Sequence, residues 1–506
     1  MTKPRCLSIR SLPIWLSAAY SITLCSCSVG PIYHRPETTL PNTFSGGAPK
    51  AAAAPLAKNW WMSFADEELN RLIEDATVAN QDLQAAMSRV EESAALERIA
   101  KSDLSPSISF DPSFHRARTL SSGDSSISSS APNLSPERAK TANAFSFPLN
   151  LQYEFDIWGK LRRQMEYYRY LSEASESDFA FIKQTVLANV AQTYFNIRLS
   201  DTQLGIYRQS LELFRRQQSL TQAKYESGLA LKTDVLQAET QMNSALAQLT
   251  EIQRARSKQE HALAILLGKA PEDFHLPEKP LSTPVPTIPV GIPAALLNQR
   301  PDVATAERKL AAANAQIGVA EADFYPTFSI TGAAGYESSH NINLLSWSNR
   351  VWSIAPAMSL PLFQGGQRIG TLAERRAEYK ELVADYRTSV LSALRDVEDE
   401  LSDLRFLADK AESLDATVRA AKEYSQLTEA QYKQGITTYL QVMDANQTLL
   451  TNQLAAVTAQ DERLIASVLL VKALGGGWEP QEHDVPAQHR VALNDAVQSP
   501  SINLAR

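Results

Sequence analysis

The sequence predicts a mainly α-helical protein that also carries transmembrane β-strands, built from one unit used twice. Three observations support this. Four segments alternate between apolar and polar residues, long heptad-patterned stretches follow them, and a glycine-centred break in those stretches occurs twice with matching neighbours. The first break spans Ala223 to Glu239 and the second Ala430 to Asn446. Tyr225, Gly228, Val235 and Ala238 match Tyr432, Gly435, Val442 and Ala445 at one constant offset. A glycine after a long helical run supplies the φ > 0 that ends a helix, and a new helix starts within a few residues. Each break therefore reads as the tip of an antiparallel helical hairpin.

The chain has 506 residues, a formal net charge of −7 and 44% hydrophobic residues. That length suits two or three ordinary domains. The acidic balance, with no basic patch to offset it, argues against a nucleic-acid partner. Residues 1–26 read as a secretory signal: Lys3, Arg5 and Arg10 precede an apolar core, Leu12 to Leu24, that is too short to span a membrane. Leu24-Cys25-Ser26-Cys27 resembles a bacterial lipobox, with Cys27 the acylated residue; ordinary cleavage that leaves Cys27 a stray thiol is the alternative. All three cysteines lie at or before Cys27, so the mature chain has no disulfide to form. Ser28 after the cysteine resembles lipoproteins sent to the outer membrane.

Residues 27–68 are rich in Pro and Ala, read as extended, and contain Trp60-Trp61. The first repeat, 69–270, opens on a helical pattern from about Glu68 to Leu104 that Pro106 stops. Strands are expected at about 107–118 and 143–155. In the second, Phe145, Phe147, Leu149, Leu151, Tyr153 and Phe155 alternate with polar residues, the pattern of a membrane strand. A Ser-rich loop, about Thr119 to Ala142, separates them on the external side. Helices from about Leu161 to Ser227 and Thr233 to Leu267 flank a tip at about 228–233. Residues 271–293 hold seven prolines and read as a linker.

The second repeat, 294–478, follows the same plan. A helix runs from Pro293 to Phe324, strands lie at about 327–337 and 350–362, and a helix from Gln367 to Gln434 leads to a tip at about 435–440. Its apolar residues, among them Tyr379, Val383, Tyr386, Val390, Leu394 and Val397, recur at three and four, a heptad seam. The return helix ends at Gly475-Gly-Gly-Trp478, and residues 479–506 form a polar tail.

Four strands cannot close a membrane barrel, since the smallest need about eight, and an open sheet edge in lipid is not tolerated. The strands must therefore join a shared barrel. Three copies supply twelve strands; two copies, with eight, compete on this argument alone. Helices of about 100 Å far exceed a bilayer core of about 30 Å, and their charged residues send them out of the membrane. Helices with one apolar seam each can close into a hollow cylinder, and a barrel continued by such a cylinder is a conduit.

Several motifs together carry a family resemblance: Gly30-Pro-Ile-Tyr-His-Arg-Pro36, Phe155-Asp-Ile-Trp-Gly-Lys160, Asn298-Gln-Arg-Pro-Asp-Val303, Leu360-Pro-Leu-Phe363 and Ala473-Leu-Gly-Gly-Gly-Trp478. The chain resembles the TolC-like outer membrane factors, in particular the lipoprotein branch that serves resistance–nodulation–division (RND) efflux pumps. The resemblance implies a homotrimer with a twelve-stranded barrel, a helical periplasmic tunnel and a mixed domain around its middle. It implies a passive exit duct for small molecules, lipid-anchored in the bacterial outer membrane and engaged at its tips by a periplasmic membrane-fusion (adaptor) protein and an inner-membrane RND-type pump. Gly228, Leu229, Gly435, Ile436 and Thr437 would meet the adaptor. The family's paired acidic gate positions fall on Gln441 and Asp444, with Asp234 and Gln237 equivalent in the first repeat. For Asp444 and Asp234 the alternative is capping of the return helices. A duct for a type I protein exporter, or a non-conducting coiled-coil surface trimer, are the alternative functions. The chain shows no catalytic constellation, no metal-ligand spacing among its seven His and no cofactor motif; the lipid on Cys27 would be its only attached group.

Overall fold

A computed structural model describes residues 28–38, 41, 44, 57–121, 138–289, 299–340 and 343–479. The signal segment, Cys27, the helix start at Pro293 and the tail beyond Glu479 lie outside the described residues. The helices are α1 (Glu67–Ala79), α2 (Gln81–Ser102), α3 (Lys160–Glu226), α4 (Lys232–Leu266), α5 (Pro301–Ala322), α6 (Gln367–Lys433) and α7 (Tyr439–Ala473). The strands are β1 (Ser107–Phe110), β2 (Ser113–Ser121), β3 (Arg138–Phe155), β4 (Thr327–Ser338) and β5 (Arg350–Ser359). The duplication is exact in length where it matters most. Helices α3 and α6 each have 67 residues, and α4 and α7 each have 35. Each of the two longest therefore reaches about 100 Å. Among the described residues no helix is long and apolar enough to cross a membrane.

Two compact units divide the chain, and neither coincides with a sequence repeat. One takes in 1–35, 92–172 and 309–383; the other takes in 36–91, 173–308 and 384–506. Both units draw on both repeats, and in the first β3 of one repeat pairs with β4 of the other, from Phe145↔Ser338 to Phe155↔Phe328.

In the first unit the strands form one antiparallel sheet in the order β1/β2–β3–β4–β5. Strands β1 and β2 are one strand in two pieces, since both hold the same register on β3, Phe110↔Leu149 and Ser113↔Ser146. The break falls at Asp111-Pro112, where Pro112 has no N–H to give the ladder. The sheet reaches further toward the loops than expected. Pairing continues to Ser121↔Arg138, so the ends of the expected Thr119–Ala142 loop belong to the strands, and 122–137 lie outside the described residues. At the other end β5 stops at Ser359 rather than 362, before Pro361. Asp156 then starts α3: its carboxylate accepts from Leu161 N–H and Arg162 N–H, both at 3.0 Å. The N-terminal segment docks here, with Val29 N–H donating to the Trp158 carbonyl at 3.0 Å and Asn314 Nδ2 to the Pro31 carbonyl at 3.0 Å.

In the second unit the core gathers Trp60, Phe64, Leu69, Ile73, Tyr194, Phe195, Leu263, Leu464 and Val468. The helix expected from Glu68 to Leu104 is broken at Asn80. That residue leaves the helical backbone with ψ 128°, accepts from Leu83 N–H at 3.0 Å to start α2, and donates to the Leu266 carbonyl at 2.8 Å. The apolar period continues through the break, which hides it in the sequence. The proline-rich stretch after α4 is strapped down rather than free. Leu276 N–H donates to Glu260, Lys279 N–H to Asp201 and Leu281 N–H to Thr202, while Arg198 and Arg256 donate to the Pro277 and Leu276 carbonyls.

The two repeats end in the same joint. A Cβ on Gly268 would overlap the Ala79 carbonyl, and one on Gly475 would overlap the Gln299 carbonyl, so each return helix ends with its backbone pressed on the start of its repeat. Beside the first contact sits Asn80; beside the second sits Arg300, which donates to the Ala473 carbonyl at 3.1 Å.

Deep in α7, Asp461 is 3% exposed and its Oδ1 has no hydrogen-bond partner among the described residues. Burial, with Glu462 beside it, pushes its carboxyl up to about 7. A carboxyl whose folded pKa lies above its unfolded value favours folding at low pH, and that contribution is lost as pH rises from about 4 through 7. Asp461→Asn is expected to melt like the parent near pH 4 and at a higher temperature above pH 7, measured by circular dichroism across pH. Parallel curves would rule out this titration.

Candidate functional site

Two surfaces hold the residues singled out in the sequence. The first is the sheet. Its register places Phe114, Phe145, Phe147, Leu149, Leu151, Tyr153 and Phe155 on one face with Phe328, Ile330, Ile354 and Met358, because directly paired residues share a face. Ser109, Asn150, Gln152, Glu154, Ser329 and Thr331 occupy the other. The apolar side is open: Ile108, Phe114, Trp352, Ile354 and Met358 are all more than half exposed. Trp347, in a short turn before β5, stacks under the Arg350 guanidinium at 3.9 Å. Among the described residues strands β1/β2 and β5 each pair on one side only. The sheet thus has one lipid-compatible face, one polar face and two open edges.

The second surface is the pair of hairpin tips in the other unit. Gly228 and Gly435 adopt φ +73° and +78° with open space around them, so backbone conformation, not room, selects glycine. In each tip the residue after the glycine closes the helix: Leu229 N–H donates to the Lys224 carbonyl at 2.8 Å and Ile436 N–H to the Gln431 carbonyl at 2.9 Å. Leu229 is 78% exposed and Ile436 69%, beside exposed Leu231 and Leu440. All four are more than half exposed.

Beneath the tips the two hairpins are held together. Tyr432, Tyr439, Val442 and Ala238 form a small core, with the tyrosine rings 5.8 Å apart. Burial, with Tyr432 and Asp234 nearby, raises the Tyr439 hydroxyl to about 12, so it stays protonated. Lys224 Nζ donates to the Tyr432 carbonyl at 2.9 Å and lies 3.8 Å from its ring centroid. One turn on, Gln241 Nε2 donates to Gln447 Oε1 at 2.6 Å.

The four candidate gate residues are not equivalent. Asp234 accepts from Leu231 N–H at 3.3 Å and closes the first turn of α4. Gln441 accepts from the Thr437 hydroxyl. Gln237 is exposed on α4. Asp444 lies in the second turn of α7, beyond the Thr438 cap, and its exposed carboxylate has no hydrogen bond or ion pair among the described residues. Asp444 and Gln441 border a concavity of about 440 Å³ completed by Gln241, Leu440, Met443 and Gln447. The Lys224 and Gln241 contacts were not anticipated from sequence. The available signal was the run of polar residues at seam positions, Thr221, Ser425, Thr428 and Tyr432, all buried.

The sequence profile described as "Outer membrane efflux protein" matches residues 72–269 and 292–476. Outer membrane protein OprJ of Pseudomonas aeruginosa is 29% identical over 466 residues, 91% of this chain and 95% of that protein. Toluene efflux pump outer membrane protein TtgF of Pseudomonas putida is 32% identical over 483 residues, 92% of this chain and 97% of that protein. Among solved structures, the Campylobacter jejuni CmeC outer membrane channel superimposes with a TM-score of 0.83 at 25% identity, covering 92% of this chain and 98% of that one.

Proposed function

The chain belongs to the outer membrane efflux protein family, and on that premise we propose that it forms, as a homotrimer, the passive exit duct of a tripartite pump for small molecules. The observation that carries this is the sheet with one apolar face and two open edges. In lipid each edge must find a partner strand. Pairing β5 of one copy with β1/β2 of the next closes a barrel, and three copies reach twelve strands, in the range of membrane barrels. The periplasmic adaptor docks on the exposed apolar residues Leu229, Leu231, Ile436 and Leu440, and an inner-membrane RND-type pump supplies the cargo. Cys27 carries the lipid anchor: Ser28 and Val29 lie against Gly159 and Trp158 in the turn between β3 and α3, which would set the preceding residue at the membrane border. Palmitate uptake that persists in Cys27→Ala would remove this anchor.

The hairpins act as the gate. Opening moves α6/α7 against α3/α4, and Lys224–Tyr432 and Gln241–Gln447 resist that motion. Three copies of Asp444 near the axis would favour cations over anions. In planar bilayers the parent trimer should conduct poorly, Lys224→Ala with Gln241→Ala should conduct severalfold more, and Asp444→Asn should lose cation preference. Unchanged conductance in the double variant would reject the latch, and unchanged selectivity in Asp444→Asn would take that residue out of the pore.

A further inference from the structure

The outward face of the sheet does not end where its apolar band ends. On β2 the band closes at Phe114, whose ring lies 4.6 Å from that of Phe145 across the ladder. The next two positions on the same face, toward the Ser121 end of β2, are Arg116 and Arg118. They pair with Asn143 and Thr141 on β3, so neither ladder partner is a carboxylate. Two residues apart on one strand, the guanidinium groups stand about 7 Å from each other along it. Both are exposed, and no hydrogen bond or ion pair holds either among the described residues. Arg350 obeys the same parity on β5, two residues before Trp352 and paired with Tyr336.

Charge on a lipid-facing strand costs about 2–4 kcal/mol at the bilayer midplane but about 0–1 kcal/mol near the interface. These arginines therefore stand at headgroup depth, at the end of the sheet remote from the helices. With the sheet read as lipid-facing, that end meets the outer leaflet. An unpaired guanidinium pair beside an aromatic girdle is suited to a phosphate ester, which it can bind through parallel N–H donors.

We propose that Arg116 and Arg118 form a binding site for the phosphorylated headgroup of an outer-leaflet glycolipid, so that each copy of the chain holds lipid at its rim. The inference rests on the lipid-facing reading of the sheet. The test uses the full-length protein in detergent, with lipid occupancy read by native mass spectrometry. The probes are purified bisphosphorylated lipid A, the same lipid dephosphorylated, and inorganic phosphate as competitor. The parent should retain bisphosphorylated lipid A about tenfold more tightly than Arg116→Gln/Arg118→Gln, and Arg116→Lys/Arg118→Lys should keep most of that affinity. Dephosphorylated lipid should bind parent and Gln variant alike, and millimolar inorganic phosphate should not compete. Equal retention of bisphosphorylated lipid by parent and Gln variant would overturn the site, as would displacement by inorganic phosphate, which would make it a free-anion site. If the Gln pair does not assemble, Arg116→Gln alone carries the comparison. Failure of the parent to hold either lipid would instead count against the lipid-facing sheet itself.

Discussion

Arg300→Ala is expected to destabilise the folded chain by about 3–5 kcal/mol, the cost of leaving buried charges and carbonyls without their partner. Arg300 is 6% exposed. Its guanidinium donates to Asp302 at 2.7 and 3.0 Å, to Asp396 at 3.1 Å, and to the Ala473 carbonyl at 3.1 Å. Burial alone would disfavour its charge, yet the carboxylates of Asp302 and Asp396 hold its pKa raised. Ala473 is the last residue of α7, so the arginine also satisfies a carbonyl that the helix leaves orphaned. Lysine would supply the charge but not the planar fork, so Arg300→Lys should recover only part of the loss. Thermal melting of the detergent-solubilised protein measures this; a melting temperature equal to the parent's would refute the proposed joint between the two ends of the second repeat.

Ile354→Arg is expected to block stable insertion in the outer membrane, while Ala355→Arg one position on is tolerated. Ile354 is 65% exposed and pairs with Gly332, itself paired with Leu151, in the middle of the apolar face. A charge there costs about 2–4 kcal/mol per chain, and a closed barrel incurs that cost in every copy. Ala355 pairs with Thr331 on the polar face, where an arginine would meet water in the lumen. The amount of each variant in the outer membrane fraction, and the heat resistance of its oligomer, reads the difference. Tolerance of Ile354→Arg together with loss of Ala355→Arg would reverse the assignment of the two faces.

The long elements were legible because each follows one period for its whole length. The break at Gly228 or Gly435 needs only a residue that takes positive φ. Strand parity was legible for a similar reason, since side chains alternate whatever the strand pairs with. What depends on contact between distant residues was not. Asn80 interrupts an unbroken apolar period because its side chain serves two helix ends at once, one of them contributed by Leu266. The 271–293 stretch has the composition of a linker, and contacts from Arg198, Asp201, Thr202, Arg256 and Glu260 reveal that its Leu276–Leu281 part is strapped down. Arg300 was visible as part of a motif but not as the partner of Ala473. At the tips, Gly228 and Gly435 could be placed from sequence, whereas Lys224 and Gln241 joined the candidate latch only once the two hairpins lay side by side. The two aspartates also part company: Asp234 caps a helix, and Asp444 makes no hydrogen bond or ion pair among the described residues.

Native mass spectrometry of the full-length protein released from detergent micelles tests the shared barrel most directly. The account predicts a complex of three chains, each contributing β1/β2, β3, β4 and β5. A stable species of one or two chains, inserted and conducting, would contradict it.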